Sequence, residues 1–367
     1  MSGTARLLPP LEPLRGPRFG SYLPEDVGWL LTDLSSVALE GDIAAREAEI
    51  QAGRRHYSET LPIEYRPSNE YLLSFRHALA RHAPAVARAV AVLGERILLT
   101  RGRAPVLVSL ARAGTPVGVL LRRYLRDRHR IEAPHYAVSI ILGKGLDPVA
   151  VRWLLARHRP ADIVFVDGWT GKGAIASELK AAAAAYRASG IALDAGLAVL
   201  ADPGGCASVY GTRRDLLVPS ACLNSTVSGL VSRTVHAAHL IGADTFHGAK
   251  CYHHLASEDR STEFLDAVTE HFDRPDGVDL PEPPDWRGRR AVVDLVQRGW
   301  GPPALLKPGV CEATRVLLRR LPAEILVQDL QSPDVEHLLL LAADRKVPVR
   351  VDSGLPFVAV GVVARRP

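Results

Sequence analysis

Between residues 105 and 201, short apolar runs alternate with amphipathic stretches, and this alternation constrains the fold more than any other feature of the chain. APVLVSL, HYAVSIIL, DIVFVDG and LAVLADP are short and largely apolar, while TPVGVLLRRYLRD, DPVAVRWLLARH and AIASELKAAAAAYRASG carry helical periodicity. Strands buried on both faces and separated by helices form a parallel sheet, so the expected class is α/β. Upstream, PEDVGWLLTDLS follows a proline and two acids and predicts a helix, and LLSFRHALARHAPAVARAVAVLGERIL predicts a long one. Downstream, NSTVSGLVSRTVHAAHLIGA predicts a helix opened by Asn224 and Ser225 as caps, and TEFLDAVTEHF another.

Composition narrows the class. With 47% hydrophobic and 23% charged residues over 367 positions, the chain is neither disordered nor fibrous, and its length suits two or three domains. Forty-five basic against 40 acidic residues leave +5, compatible with a phosphate-rich ligand or RNA without demanding either. Cys206, Cys222, Cys251 and Cys311 lie far apart, which argues against a disulfide framework or zinc ribbon. The start lacks an apolar leader and no run approaches the roughly 18 apolar residues of a membrane span, so a cytoplasmic protein without membrane contact is expected.

The expected organisation is an extended Pro/Gly-rich arm at 1–24 and an α/β domain at 25–275, with a helical cap over 25–102. A Pro-rich linker follows at 276–290. A second unit at 291–367 reads as strand, helix, strand, helix, strand.

Three stretches could carry chemistry. In IVFVDGWTGKG a strand ends at Asp167 and enters a loop of Gly168, Thr170, Gly171, Lys172 and Gly173 that opens a helix. Loop amides, a helix N-terminus and a hydroxyl suit a phosphate, and a strand-end carboxylate suits ribose hydroxyls. Lys172 stands out, because only six of the 45 basic residues are lysines. In VLVSLARAGTP a second strand ends in the turn Ala111, Arg112, Ala113, Gly114, Thr115, where Arg112 offers a fork of donors for pyrophosphate. Third, Cys222 lies ahead of the predicted helix at 224 with Ser220, Asn224 and Ser225 around it, a place for a thiolate or a bound anion. His247 is its candidate base and Asp244 the orienting group. His247, Cys251, His253 and His254 have ligand-like spacing but lack the distant pair of a closed zinc site, so no protein metal cage is expected.

The two strand-end loops together resemble type I phosphoribosyltransferases. The resemblance implies a phosphoribosyltransferase-like core in which Arg112 to Gly114 hold pyrophosphate, Asp167 the ribose, and Thr170 to Gly173 the 5-phosphate of phosphoribosyl pyrophosphate with Mg2+. Gly168 stands where that family has a second acid. An unknown acceptor would sit near His56, Tyr57, Glu59, Glu64 and Tyr65, with Lys144 as a further substrate contact. Over residues 17–273 the stretches FGSYLPEDV, RRHYSETLPIEY, LVSLARAGTPVG, FVDGWTGKGAI, PSACLNSTVSGLVSRTV and DTFHGAK resemble the StiP family of tellurium-resistance and stress operons. That family is described both as phosphoribosyltransferase-like and as a cysteine protease. The C-terminal unit resembles the Pelota-type RNA-binding domain. Its G-x-N-E-x-T-K signature appears as Gly309, Val310, Cys311, Glu312, Ala313, Thr314 and Arg315. The resemblance implies a small α/β/α domain with Glu312 and Arg315 facing RNA, Lys307 and Arg345 on its backbone, and Cys311 in place of a base-reading asparagine.

The sequence reading therefore favours a phosphoribosyltransferase that makes a nucleoside-like metabolite and carries an RNA-binding domain. The alternatives are a cysteine protease using Cys222 and His247, or a non-catalytic nucleotide- and RNA-binding regulator. A homodimer is compatible with each.

Overall fold

The computed structural model describes residues 11–365; the part of the expected arm at 1–10 lies outside the described residues. Six parallel strands form the central sheet, in the order 28–29, 135–138, 106–110, 163–169, 197–201, 209–212. The α/β class with a parallel sheet read from the alternation is what the chain adopts.

Successive residues of each strand feed opposite cores. Leu107, Val164, Val166, Ala198 and Leu200 pack under helices α2 (Asn69–Arg101), α3 (Gly114–His129) and α6 (Ser261–Thr269). Val106, Val108, Phe165 and Val199 pack under α4 (Pro148–Leu155) and α5 (Ala174–Ala188). This is the strand period of two, with both faces buried. The ends of α2 are set locally: Ser68 Oγ accepts from the Tyr71 N–H at 3.2 Å, and Gly102 closes the helix at φ +76°.

Two helices expected from sequence are absent. PEDVGWLLTDLS forms two short strands, Gly28–Trp29 on the sheet edge and Thr32–Asp33 paired with Gly248–Ala249. Its apolar residues Val27, Trp29, Leu30 and Leu31 are buried on all sides, so their spacing reports burial rather than a helical face. The region 25–68 thus holds a single α-helix, α1 (Ile43–Gln51), and most of the helical cap is α2. Residues 224–243 form one turn of 3-10 helix at Ser225–Val227 and then an extended path bridging Val231 to Cys251 and Val235 to Gly248. Its serines, threonines and β-branched residues favour that outcome.

The C-terminal unit opens with a helix, α7 (Arg287–Gln297), inside residues read partly as linker. Its sheet has the order 306–308, 359–363, 322–327, 349–351, with α8 (Val310–Arg319) and α9 (Glu336–Asp344) on the face away from α7. Val310, Cys311, Leu317 and Leu338 join the same apolar core as α2 and α3, so the two domains share one continuous interior. Asp215 secures the junction: its carboxylate accepts from the Val310 N–H at 3.0 Å and the Val358 N–H at 2.8 Å. Burial pushes Asp215 up to about 6 against the pull of these N–H groups.

Within the N-terminal domain Ser109 Oγ and His135 Nε2 lie 2.8 Å apart, and His135 Nδ1 meets the Asp26 carbonyl at 2.7 Å. A Cβ on Gly118 of α3 would stand 2.1 Å from Ser109 Oγ and 2.2 Å from His135 Nε2. Gly118→Ala should therefore cost about 1–3 kcal/mol by overpacking, seen as a lower urea midpoint with helical content retained. An unchanged midpoint would contradict the tight approach of α3 to the sheet.

Candidate functional site

Parallel strands all end at one edge, and the turns that follow them gather there. Asp167, at the end of the 163–169 strand, accepts from the Gly168 N–H at 2.8 Å. Burial drives its carboxyl up to about 7, opposed by that N–H and by Arg315. The following loop is engaged by its surroundings. The Thr170 hydroxyl donates to Asp202, a buried carboxylate that also accepts from the N–H groups of Cys206 at 3.1 Å and Ala207 at 3.0 Å and from Arg213. The Lys172 ammonium donates to the Pro303 and Leu306 carbonyls of the C-terminal unit. A Cβ at Gly204 or Gly288 would fall 2.0 or 2.1 Å from the Gly171 carbonyl oxygen, so these glycines serve close backbone packing.

Arg112 is buried in a second network. It donates to Glu64 Oε1 at 3.4 Å, to the Val231 carbonyl at 3.4 Å and to Asn224 Oδ1 at 3.2 Å. Arg319 of α8 donates to the same Asn224 oxygen at 2.7 Å, and Glu64 Oε2 accepts from the Ser225 hydroxyl at 3.0 Å. The Ala111–Arg112 peptide is cis, and Ala113 to Thr115 lead directly into α3. Ser220 lies buried in a 3-10 turn. The expected acceptor cluster is dispersed: Glu64 pairs with Arg112, whereas the Tyr65 hydroxyl donates to Asp344 at 3.2 Å. The Tyr57 oxygen accepts from the Leu142 N–H at 2.9 Å, and Lys144 donates to the His236 carbonyl at 3.2 Å. Glu59 ends the short turn Tyr57–Glu59.

A cavity of about 290 Å³ joins the two units. Asp167 and the 169–176 segment line one side, and Lys307, Pro308, Glu312, Arg315, Arg319 and Arg320 the other. Glu312 accepts from Trp169 Nε1 at 2.9 Å, and the Arg315 guanidinium lies 4.1 Å from the centre of the Trp169 ring. The residues expected to face RNA thus meet the phosphate-loop residues across one cavity. Arg345, by contrast, donates to the Leu317 carbonyl. Cys311 is a buried interface residue: its sulfur accepts from the Val218 N–H at 3.3 Å and donates to the Leu216 carbonyl at 3.5 Å. Sequence reasoning missed Trp169, Asp215, Arg319 and Arg320. The i, i+4 spacing of Arg315 and Arg319 on α8 was the signal available for one of them.

The Cys222, His247, Asp244 arrangement is not assembled. Cys222 is fully enclosed, its thiol is pushed up by burial, and only a single 3-10 turn, not an α-helix, begins after it. The His247 ring meets Ser139 Oγ at 2.9 Å through Nδ1 and packs on His236, and burial holds it down to about 3. Asp244 is exposed and faces Arg152. A thiol meets an imidazole elsewhere: Cys251 Sγ lies 3.7 Å from His253 Nδ1 and accepts from the Gly20 N–H at 3.2 Å. Residue 251 is fixed by Ser35, whose hydroxyl accepts from the Cys251 N–H at 2.9 Å and donates to Asp33. Among the described residues no other thiol hydrogen-bonds to a histidine, and no group of three or more His, Cys, Asp and Glu could hold a metal ion.

These features define a two-domain α/β protein whose C-terminal unit closes the carboxyl edge of a parallel sheet. Residues 20–269 match the family described as tellurite-like stress resistance cysteine protease StiP, and residues 286–365 match the PELOTA RNA binding domain. A curated cysteine protease StiP of Acinetobacter baylyi (strain ATCC 33305 / BD413 / ADP1) is 33% identical, with 94% of each chain covered. The chain belongs to the StiP family. No solved structure matches it. No helix among the described residues is long and apolar enough to cross a membrane.

The family description and the relative's name overturn the phosphoribosyltransferase reading and, with it, the assignment of Arg112 and Asp167 to phosphoribosyl transfer. The geometry explains why the loops misled. The Gly168 N–H, the Thr170 hydroxyl, the Lys172 ammonium and the Arg112 guanidinium all have protein partners.

The raised Asp167 carboxyl has a measurable consequence. The folded state keeps a proton that the unfolded chain loses near pH 4, so Asp167 costs stability progressively as pH rises from about 4 to about 7. Asp167→Asn should remove that slope and melt higher than wild type at pH 8, by an amount on the order of 2–4 kcal/mol, with little difference at pH 4. Parallel melting at both pH values would show that the carboxyl is ionised in the fold.

Proposed function

We propose that this chain is a thiol-dependent peptidase acting in stress resistance, with Cys251 as nucleophile and His253 as its base. The 3.7 Å approach of Cys251 Sγ to His253 Nδ1 carries the choice of residues, and the family description carries the choice of chemistry. Burial raises the Cys251 thiol, the Gly20 N–H opposes it, and the Asp33 and Asp259 charges reinforce it, so the sulfur rests protonated and needs a base. His253 is exposed and stands at the start of the 253–258 turn, accessible to a substrate.

In the first step the thiol proton passes to Nδ1 as sulfur attacks the peptide carbonyl carbon. Collapse of that adduct breaks the C–N bond, and the imidazolium returns the proton to the departing amine. Water then hydrolyses the thioester, with His253 again as base, and restores the thiol. Asp33 and Ser35 position the nucleophile through the backbone of residue 251 rather than through the imidazole. The PELOTA match supports RNA contact by the C-terminal unit as a second property of the chain.

Cys251→Ser should lower hydrolysis of a denatured protein substrate by about a thousandfold or more, as removal of a catalytic nucleophile does elsewhere. Cys222→Ser should leave hydrolysis nearly unchanged. The reverse pattern, with Cys222→Ser inactive and Cys251→Ser active, would sink this choice of residues.

A further inference from the structure

The peptidase reading leaves the cavity between the domains unused, and its charge is one-sided. Lys172, Lys307, Arg315, Arg319 and Arg320 line it against two carboxylates, Asp167 and Glu312. Arg315 Nε and one terminal nitrogen of Arg319 are buried there without a hydrogen-bond partner. Buried guanidinium N–H groups without acceptors are costly, and a ligand with acceptor oxygens relieves the cost. Burial holds the Lys307 ammonium down to about 8, with repulsion from Lys172 and Arg320 adding to the effect. Arg320 is paired with Glu47, and Lys172 and Lys307 donate to main-chain carbonyls, so Arg315 and Arg319 are the lining cations that keep unpartnered N–H groups.

A second observation points to the same kind of ligand. Helix α5, 15 residues long, begins at the cavity wall, where Gly173 provides no side-chain cap and Ala174, Ile175 and Ala176 line the space. Its first N–H groups and its dipole favour an anion. Beside these donors stand apolar side chains, Leu142, Ile175, Val316 and the part of the Trp169 ring that Arg315 leaves uncovered, suited to a flat ring. Phosphate-type donors next to an aromatic wall match a nucleotide. The volume, just below the roughly 300–1,000 Å³ seen for small-ligand sites, suits no more than one nucleotide and excludes a duplex.

The wall supplied by the C-terminal unit is fixed in place. Its α8 shares an apolar core with the N-terminal domain, and large apolar interfaces between domains do not open readily. Glu312, Arg315 and Lys307 are therefore reached through the cavity and not across an open face.

We propose that this interdomain cavity binds a nucleoside monophosphate group, with the phosphate held by Arg315, Arg319 and the start of α5 and the base against Trp169. The group is either the phosphorylated end of an RNA strand or a free mononucleotide. Neither domain holds it alone. The site is separate from Cys251 and does not depend on the peptidase reading.

The test is calorimetry on the full chain at low salt with adenosine monophosphate, with adenosine, and with one short single-stranded RNA carrying either a phosphate or a hydroxyl at its 5′ end. Adenosine monophosphate should bind at least tenfold more tightly than adenosine. Arg319→Lys, which keeps the charge and removes the fork, and Arg315→Gln should each weaken it about tenfold or more, while Cys251→Ser leaves it unchanged. Thermal melting without ligand separates lost binding from lost folding, and the ligand-induced rise in Tm should shrink in both variants. A tenfold advantage for the phosphorylated RNA end assigns the RNA source, and its absence alongside nucleotide binding assigns the free nucleotide. Equal binding of adenosine and its monophosphate, no binding of any probe, or RNA binding indifferent to both the end group and Arg319→Lys would overturn the proposal.

Discussion

Six parallel strands must be covered on both faces and must all end at the same edge, and the rest of the molecule answers to that constraint. The faces are covered by α2, α3 and α6 on one side and α4 and α5 on the other. The edge is harder to cover, because the strand-end turns bring polar backbone and charged side chains together there. The chain handles it with buried carboxylates. Asp202 gathers Thr170, Cys206, Ala207 and Arg213, while Asp215 gathers the starts of α8 and of the last strand. The C-terminal unit then closes over the turns, and the cavity is the space left between a loop-lined edge and a basic helix.

The sheet was legible because both signals, apolar strand runs and helical periodicity, are strong between 105 and 201. Residues 24–35 were misread because a segment buried on all sides has no polar face, and apolar residues then fall at helical spacing by chance. Residues 224–243 were misread because Asn224 and Ser225 look like caps. The Asn224 oxygen is instead engaged by Arg112 and Arg319, and its main chain continues as irregular structure. The candidate site was less legible than the fold. A glycine-rich turn after a strand has the same composition whether it cradles a phosphate or lets two backbones touch. The 2.0 Å approach of a Gly204 Cβ to the Gly171 oxygen is a property of the tertiary fold alone.

The four cysteines show why position in sequence says little about reactivity. Cys222 is enclosed in the core, Cys311 lies at the domain junction, and Cys206 is pushed up to about 12 by burial beside Asp202. Cys251 is also mostly covered, yet it alone combines an imidazole with a backbone N–H on its sulfur. Its partner His253 is only two residues away, at the start of the 253–258 turn.

Kinetic mapping of iodoacetamide adducts by mass spectrometry on the native full-length chain tests this account most directly. Near neutral pH, Cys251 should be alkylated first, ahead of Cys206, Cys222 and Cys311, and His253→Ala should slow that reaction alone. Alkylation of Cys222 ahead of Cys251, or a Cys251 rate indifferent to His253→Ala, would contradict the account.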